Sequence, residues 1–258
     1  MIFNKPSTRT RISFEVAMYE LGGHPLFLPG DQLQLKRGET LKDSAQVLSR
    51  YLDALMIRTY DHNDVLELAK HSTIPVINGL TDLNHPVQVL SDVFTLCEKL
   101  GRIKDIKVAY VGDANNVTYS WITAASILGI NLSIASPKEY PLQIPESLGK
   151  KTRHKFMEDP YEAVKDADVI YTDVWVSMGQ ESQADDKLKR LQKYQINQSL
   201  VDAAKKDVLV MHCLPAHREM EITSEVFDGE HSIVFDQAEN RLHFQKALLE
   251  NLLTRDKP

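Results

Sequence analysis

Cysteine is scarce in this chain. Its two cysteines, Cys97 and Cys213, lie far apart in unlike surroundings, so no disulfide framework is expected. Long apolar runs are missing too, and nothing reads as a secretory signal, which excludes a membrane partner and points to the cytoplasm. Positive charge is not in excess: 30 Lys and Arg face 36 Asp and Glu, for a net charge of −6. Nucleic acid is therefore not expected as a general partner, and any anion site must be a local concentration of arginine. The nine histidines show no HxxxH pair and no Cys/His cluster at metal-ligand spacing, so no metal or cofactor is called for. Val111-Gly112-Asp113-Ala114-Asn115-Asn116 lacks the G-x-G-x-x-G spacing of a dinucleotide turn. Internal repeats and low-complexity tracts are likewise absent.

What is present is ordinary globular material, 43% hydrophobic and 26% charged, with room for one large α/β domain or two of usual size. The stretch that organises the rest is Pro6-Ser7-Thr8-Arg9-Thr10-Arg11. A helix should open at Ser7, with Ile12, Val16 and Tyr19 at helical spacing beside Phe14, Met18 and Leu21, and stop at Gly22-Gly23. A helix N-terminus offers backbone N–H groups and the positive end of the dipole. Hydroxyls and guanidiniums crowded there make a phosphate cradle.

Further along, short apolar runs alternate with amphipathic ones. Strands are expected at His24–Leu28, Ala54–Tyr60 and Pro75–Leu80, and helices after Thr40 and over Asn63–Lys70. A long helix should follow His85-Pro86-Val87-Gln88 and run to about Leu100. A second set has strands at Lys107–Asp113, Asn131–Ser136, Asp168–Trp175, Asp207–Leu214 and Ser232–Asp236, and helices at Val117–Leu128 and Glu239–Leu253. The basic run Lys150–Lys155 reads as solvated surface. The fold class is α/β: two lobes, each a parallel sheet flanked by helices, with the C-terminal helix returning to the first lobe. The boundaries are 1–98 completed by 238–258, and 99–237. Ligands of such sheets bind beyond the carboxyl ends of strands, where Arg58, Leu80, Asp113–Asn116, Asp173 and Cys213 all fall.

Taken in order, several motifs are similar to those of the carbamoyltransferases, and within that family to its ornithine-specific branch. They are Ser7-Thr8-Arg9-Thr10-Arg11, Arg58, His85-Pro86-Val87-Gln88, Asn115-Asn116, Asp173 with Ser177-Met178-Gly179, His212-Cys213-Leu214-Pro215, and Asn240-Arg241-Leu242-His243. The resemblance implies that Ser7, Thr8, Arg9 and Thr10 hold the phosphate of carbamoyl phosphate. It implies that Arg58 and His85 bind the carbonyl oxygen and Gln88 the carbamoyl amide, with Cys213, Leu214 and Arg241 completing that site. Ornithine would meet Leu80, Asn116, Asp173, Ser177 and Met178, with Asn116 on the α-carboxylate and Asp173 and Ser177 on the α-ammonium. Arg58, His85, Asp173 and Cys213 would be catalytic, Cys213 as a thiolate that steadies the amine and not as a covalent nucleophile. Family enzymes are trimers, and Gln34 would reach a neighbouring subunit's site.

The match departs from the pattern in three places. The family's leading helix and first strand are expected to be missing, and Lys36 and Ala114 stand where Gly is common. Three functions stay open on this basis: carbamoyl transfer to ornithine, giving citrulline and phosphate; transfer to another amine such as putrescine or an N-acylornithine; or a truncated, non-catalytic paralogue. Asp173 with Ser177-Met178-Gly179 favours a free α-amino acid.

Overall fold

The residues ahead of the Ser7 turn belong to the sheet. Ile2–Phe3 form β1, which pairs in parallel with β2 (Leu28–Pro29) on one side and β3 (Leu55–Arg58) on the other. This corrects the expectation that the first strand is missing. Two residues carry no periodicity, so the sequence could not mark them as a strand. The computed structural model describes residues 1–34, 38–138, 153–176 and 184–254, and divides them between two units, Met1–Ser91 with Glu239–Pro258, and Asp92–Ala238.

In the first unit α1 (Thr8–Glu20) follows β1, α2 (Leu41–Leu48) precedes β3, and α3 (His62–His71) leads to β4 (Val76–Leu80). All four strands are parallel in the order β2-β1-β3-β4. The strand order reverses between β1 and β3, so the loops after these two strands face one crevice at the sheet's carboxyl edge. The first of those loops carries the Ser7 turn, and Arg58 is the last residue before the second. The register slips between Ile57 and Arg58, where Gly79 is the extra residue of β4. A Cβ at Gly79 would lie 2.5 Å from Met56 Sδ and 3.1 Å from the Ile57 carbonyl, so the slip needs glycine.

The buried face of α1 is Thr10, Phe14 and Ala17, whereas Ile12 and Tyr19 are 53% and 76% exposed. The expected apolar face was thus the wrong one, because apolar residues run right round this helix and single out no side. The strand expected at His24–Leu28 is reduced to Leu28–Pro29.

The last helix, α10 (Val234–Thr254), begins five residues before the expected Glu239. Ser232–Asp236 is therefore not a strand; Ser232 makes only an isolated bridge to Val210. A short apolar run such as Ile233-Val234-Phe235 fits a buried strand or a helix start equally well. Within the first unit, Leu249 of α10 shares a core with Phe3, Phe14 and Met56, and Leu242, Leu248 and Leu252 pack against it.

The chain passes to the second unit along α4 (Pro86–Leu100). There β5 (Lys107–Val111), β6 (Asn131–Ala135), β7 (His154–Met157), β8 (Val169–Thr172) and β9 (Leu209–His212) form a parallel sheet in the order β7-β6-β5-β8-β9. α5 (Asn116–Leu128) and α6 (Pro160–Val164) connect its strands. Three more helices follow β8 and β9: α7 (Ala184–Leu191), α8 (Gln198–Asp202) and α9 (Ser224–Phe227). β7 was not expected. It is the edge strand, and it takes in part of the basic run read as surface; an exposed Lys155 there suits an edge, where charge deters further pairing. The core stacks Tyr110 on Tyr171 at 5.8 Å and sets Trp121 edge-on to Tyr171 at 5.4 Å, all three fully buried. The strand order reverses between β5 and β8, so residues just past these strands converge. They are Asp113–Asn116 and Asp173. Gly112 has φ 133, and a Cβ there would press on Thr172 Oγ1 at 3.2 Å and on Trp175 Nε1 at 3.3 Å.

Candidate active site

In the first unit Ser7 is the N-cap of α1, its hydroxyl accepting from the Thr10 N–H at 3.2 Å. Thr8 is exposed, Arg9 half-buried and Thr10 buried. Arg11 is occupied elsewhere: it pairs with Glu15 at 3.0 Å and lies over the Phe27 ring, so Arg9 is the guanidinium left to the turn. Arg241, about two turns into α10 and in its first-unit part, reaches back to donate to Thr10 Oγ1 at 3.2 Å and also donates to Gln88 Oε1 on α4. Three helices distant in sequence thus deliver Thr10, Gln88 and Arg241 to one place.

His85 immediately precedes α4 and is buried. Burial above all, and then the charges of Arg241, Arg58 and Lys5, hold its pKa well below 6.5. At neutral pH it is an uncharged imidazole, able to donate one N–H without adding to the positive field. Arg58, at the end of β3, and Leu80, at the end of β4, are both buried. Lys5 is also buried and pairs with Asp82 at 2.8 Å. Sequence reasoning missed Lys5, since a lone lysine near the start of a chain shows no pattern. The cations Lys5, Arg58 and Arg241 around a neutral imidazole favour a bound anion and can polarise a carbonyl oxygen. Gln34 is exposed on the turn after the short 3-10 segment Gly30–Gln32, and Lys36 lies outside the described residues.

In the second unit Asp173 sits one residue beyond β8. Its Oδ1 accepts from the Cys213 thiol at 2.9 Å and from the Val174 N–H at 2.8 Å, and its Oδ2 from Asn115 Nδ2 at 2.7 Å. Asn115 is the N-cap of α5, with its Oδ1 accepting from the N–H groups of Val117 and Thr118. Tyr110 donates to the Asp113 carbonyl at 2.9 Å and lies 3.3 Å from Asn115 Oδ1. Asn115 therefore fixes the carboxylate, a role hidden within a motif in which only Asn116 had been singled out. Asn116 opens α5, at the positive end of the helix. Asp113 is buried and paired with Lys187 at 2.7 Å; its burial pushes its pKa up, against the pull of the lysine. Ser177 and Met178 lie outside the described residues.

Cys213 follows β9. Burial, then the charge of Asp173 and the hydrogen bond to it, push its pKa well above 9.0, so it is a thiol. This corrects the expected thiolate: beside a carboxylate the sulfur is held neutral and donates a hydrogen bond. Asp173, His212 and Cys213 present ligand-type atoms within 4.8 Å of one another. Hydrogen bonds already engage them. The Leu214 N–H donates to His212 Nδ1 at 2.9 Å, which leaves the proton on Nε2, 3.1 Å from Glu221 Oε1. With both imidazole nitrogens occupied, the three residues fit a metal poorly. Leu214 itself has φ 60, and the Leu214-Pro215 bond is cis.

Comparison with known proteins shows the family. The model of the aspartate/ornithine carbamoyltransferase carbamoyl-P binding domain matches residues 1–98, and that of the Asp/Orn binding domain matches residues 104–252. The chain is 55% identical to the ornithine carbamoyltransferase of Archaeoglobus fulgidus over 261 residues, covering 99% of this chain and 84% of that protein. It is also 55% identical to the anabolic ornithine carbamoyltransferase of Pyrococcus furiosus, covering 96% of this chain and 81% of that one. The solved Pyrococcus furiosus enzyme superposes with a TM-score of 0.93 at 53% identity, over 99% of this chain and 84% of that structure. That of Thermus thermophilus superposes with 0.89 at 40% identity, over 98% and 85%. The chain belongs to the aspartate/ornithine carbamoyltransferase family.

Proposed function

We propose that the chain transfers the carbamoyl group of carbamoyl phosphate to the δ-amine of L-ornithine, releasing L-citrulline and phosphate. The observation that carries this reading is the 55% identity, over nearly the whole chain, to proteins named ornithine carbamoyltransferase. The first unit is read as the carbamoyl phosphate site. Ser7, Thr8, Arg9 and Thr10 hold the phosphate at the helix N-terminus, with Arg241 closing on it from α10. Arg58 and the neutral His85 donate to the carbonyl oxygen, and Gln88 meets the carbamoyl amide. These donors stabilise the negative charge that grows on that oxygen as the carbon becomes tetrahedral.

The second unit is read as the ornithine site. Asn116 takes the α-carboxylate, Asp173 the α-ammonium with Ser177, and Met178 the methylenes. A free δ-ammonium has a pKa of about 10.4 and must lose its proton before it attacks. The departing phosphate accepts the proton. Since a protonated thiol is a poor nucleophile, Cys213 orients Asp173 and the amine and forms no covalent intermediate. The exposed Gln34 is read as reaching the site of a neighbouring copy in a cytoplasmic homotrimer. No described helix is long and apolar enough to cross a membrane.

A colorimetric assay for ureido product tests the reading, with ornithine, putrescine, N-acetylornithine and aspartate offered in parallel. Product with ornithine alone is expected. Product chiefly with putrescine or the acylated amine would assign a sister activity, and a folded chain that gives none would be a non-catalytic paralogue.

A further inference from the structure

We infer that Asp92 and Tyr171 are positioning residues for this carbamoyl transfer: with Gln237 they align the ends of β8 and β9 so that Asp173 and Cys213 meet. The inference rests on the function proposed above. Asp92 and Tyr171 are fully buried and Gln237 nearly so. Asp92 Oδ2 accepts from the Tyr171 hydroxyl at 2.8 Å, and Oδ1 accepts from Gln237 Nε2 at 2.8 Å. Gln237 then turns its Oε1 to the His212 N–H at 2.9 Å. One carboxylate therefore ties down Tyr171, two residues before Asp173, and, through Gln237, His212, one residue before Cys213.

The location of these ties gives them their importance. The last paired residues of β8 and β9 are Thr172 and His212. Asp173 and Cys213 come next, where no ladder bond sets their spacing, yet their contact is 2.9 Å. A core position could be filled by apolar residues without the cost of burying a carboxylate. A fully hydrogen-bonded polar group instead fixes orientation, and a displacement of about 1 Å at a reacting centre can cost on the order of a hundredfold in rate.

The titratable groups around the thiol are Asp173 just past β8, Tyr171 on β8, Asp92 on α4, Tyr110 on β5 and the adjoining His212. Among them Asp173 and Asp92 favour the neutral thiol, whereas Tyr171 works against this, its hydroxyl donating to Asp92 and offsetting that carboxylate's charge. Removing the two network members should therefore move the thiol in opposite directions, which mere loosening of the core would not do.

The test uses the full chain carrying C97S, which removes the exposed second cysteine, with and without Y171F or D92N. Citrulline formation gives kcat and KM, thermal melting follows the fold, and iodoacetamide alkylation across pH follows Cys213. Y171F should lower kcat by about tenfold with little change in KM for carbamoyl phosphate, and shift alkylation to higher pH. D92N should lower kcat at least as much and shift alkylation to lower pH. Wild-type kcat with an unshifted profile in Y171F would overturn the inference, as would shifts of the same sign in both variants. Should D92N not fold, Y171F decides alone. A parent chain that makes no citrulline would refute the function instead, and the alkylation profiles would still decide on the network.

Discussion

Arg58 and Cys213 separate two ways in which a side chain can matter to the reaction. Arg58 is a buried guanidinium at a strand end, aimed where charge is proposed to develop. Arg58→Ala should lower kcat by about a hundred- to thousandfold, in the range for losing an oxyanion donor, and steady-state kinetics would show it. Cys213 instead donates to Asp173. Cys213→Ser keeps a donor, so turnover should fall by no more than about tenfold; loss of all activity would restore the nucleophile. Asp173→Asn should raise KM for ornithine and leave the dissociation constant for carbamoyl phosphate unchanged, as calorimetry can measure. The residue types at these positions were legible in the sequence because they stand in ordered motifs. Lys5 and Asn115 were not, since their parts depend on burial and on N-cap geometry. Neither was the protonation of Cys213, which follows first from burial and then from a carboxylate forty residues away in sequence and 2.9 Å away in space.

Elements were legible where their pattern was long. α3, α4 and α5 lie within about one residue of expectation, and β3 to β6 within two. Two-residue strands and the buried start of α10 were not, because short apolar runs do not distinguish helix from strand. The slip between β3 and β4 also leaves no trace in hydrophobic pattern, yet it adjoins Arg58. Gly79→Ala should push Met56 and the Ile57 carbonyl aside, destabilising the fold by about 1–3 kcal/mol in urea melts, with a fall in kcat beyond what lost stability explains.

For the whole molecule, the informative feature is that each sheet reverses its strand order once: the Ser7 turn, Arg58, Asn115 and Asp173 lie at or just past the strands that flank a reversal, and Leu80 and Cys213 lie at the ends of the strands next to them. Strand order is set by three-dimensional pairing, so the sequence conveyed the α/β alternation but not these crevices. Burial of a neutral His85 also gives the molecule a pH dependence. The unfolded histidine takes up a proton near its ordinary 6.5, whereas the folded one does so only well below that value. Its contribution to stability is therefore intact above 6.5 and is lost as the pH falls below it, by up to about 1.4 kcal/mol per pH unit for this one group. Melting temperatures should drop between neutral pH and pH 5.5, and less steeply in His85→Gln.

The proposed reaction moves one carbon to one nitrogen, and carbon-13 NMR observes that transfer directly. Carbonyl-labelled carbamoyl phosphate would be incubated with ornithine and the purified chain. The label is expected in the δ-ureido carbon of citrulline, with phosphate released in equal amount. Label found only in cyanate or bicarbonate, or on the α-nitrogen, would contradict the proposed reaction.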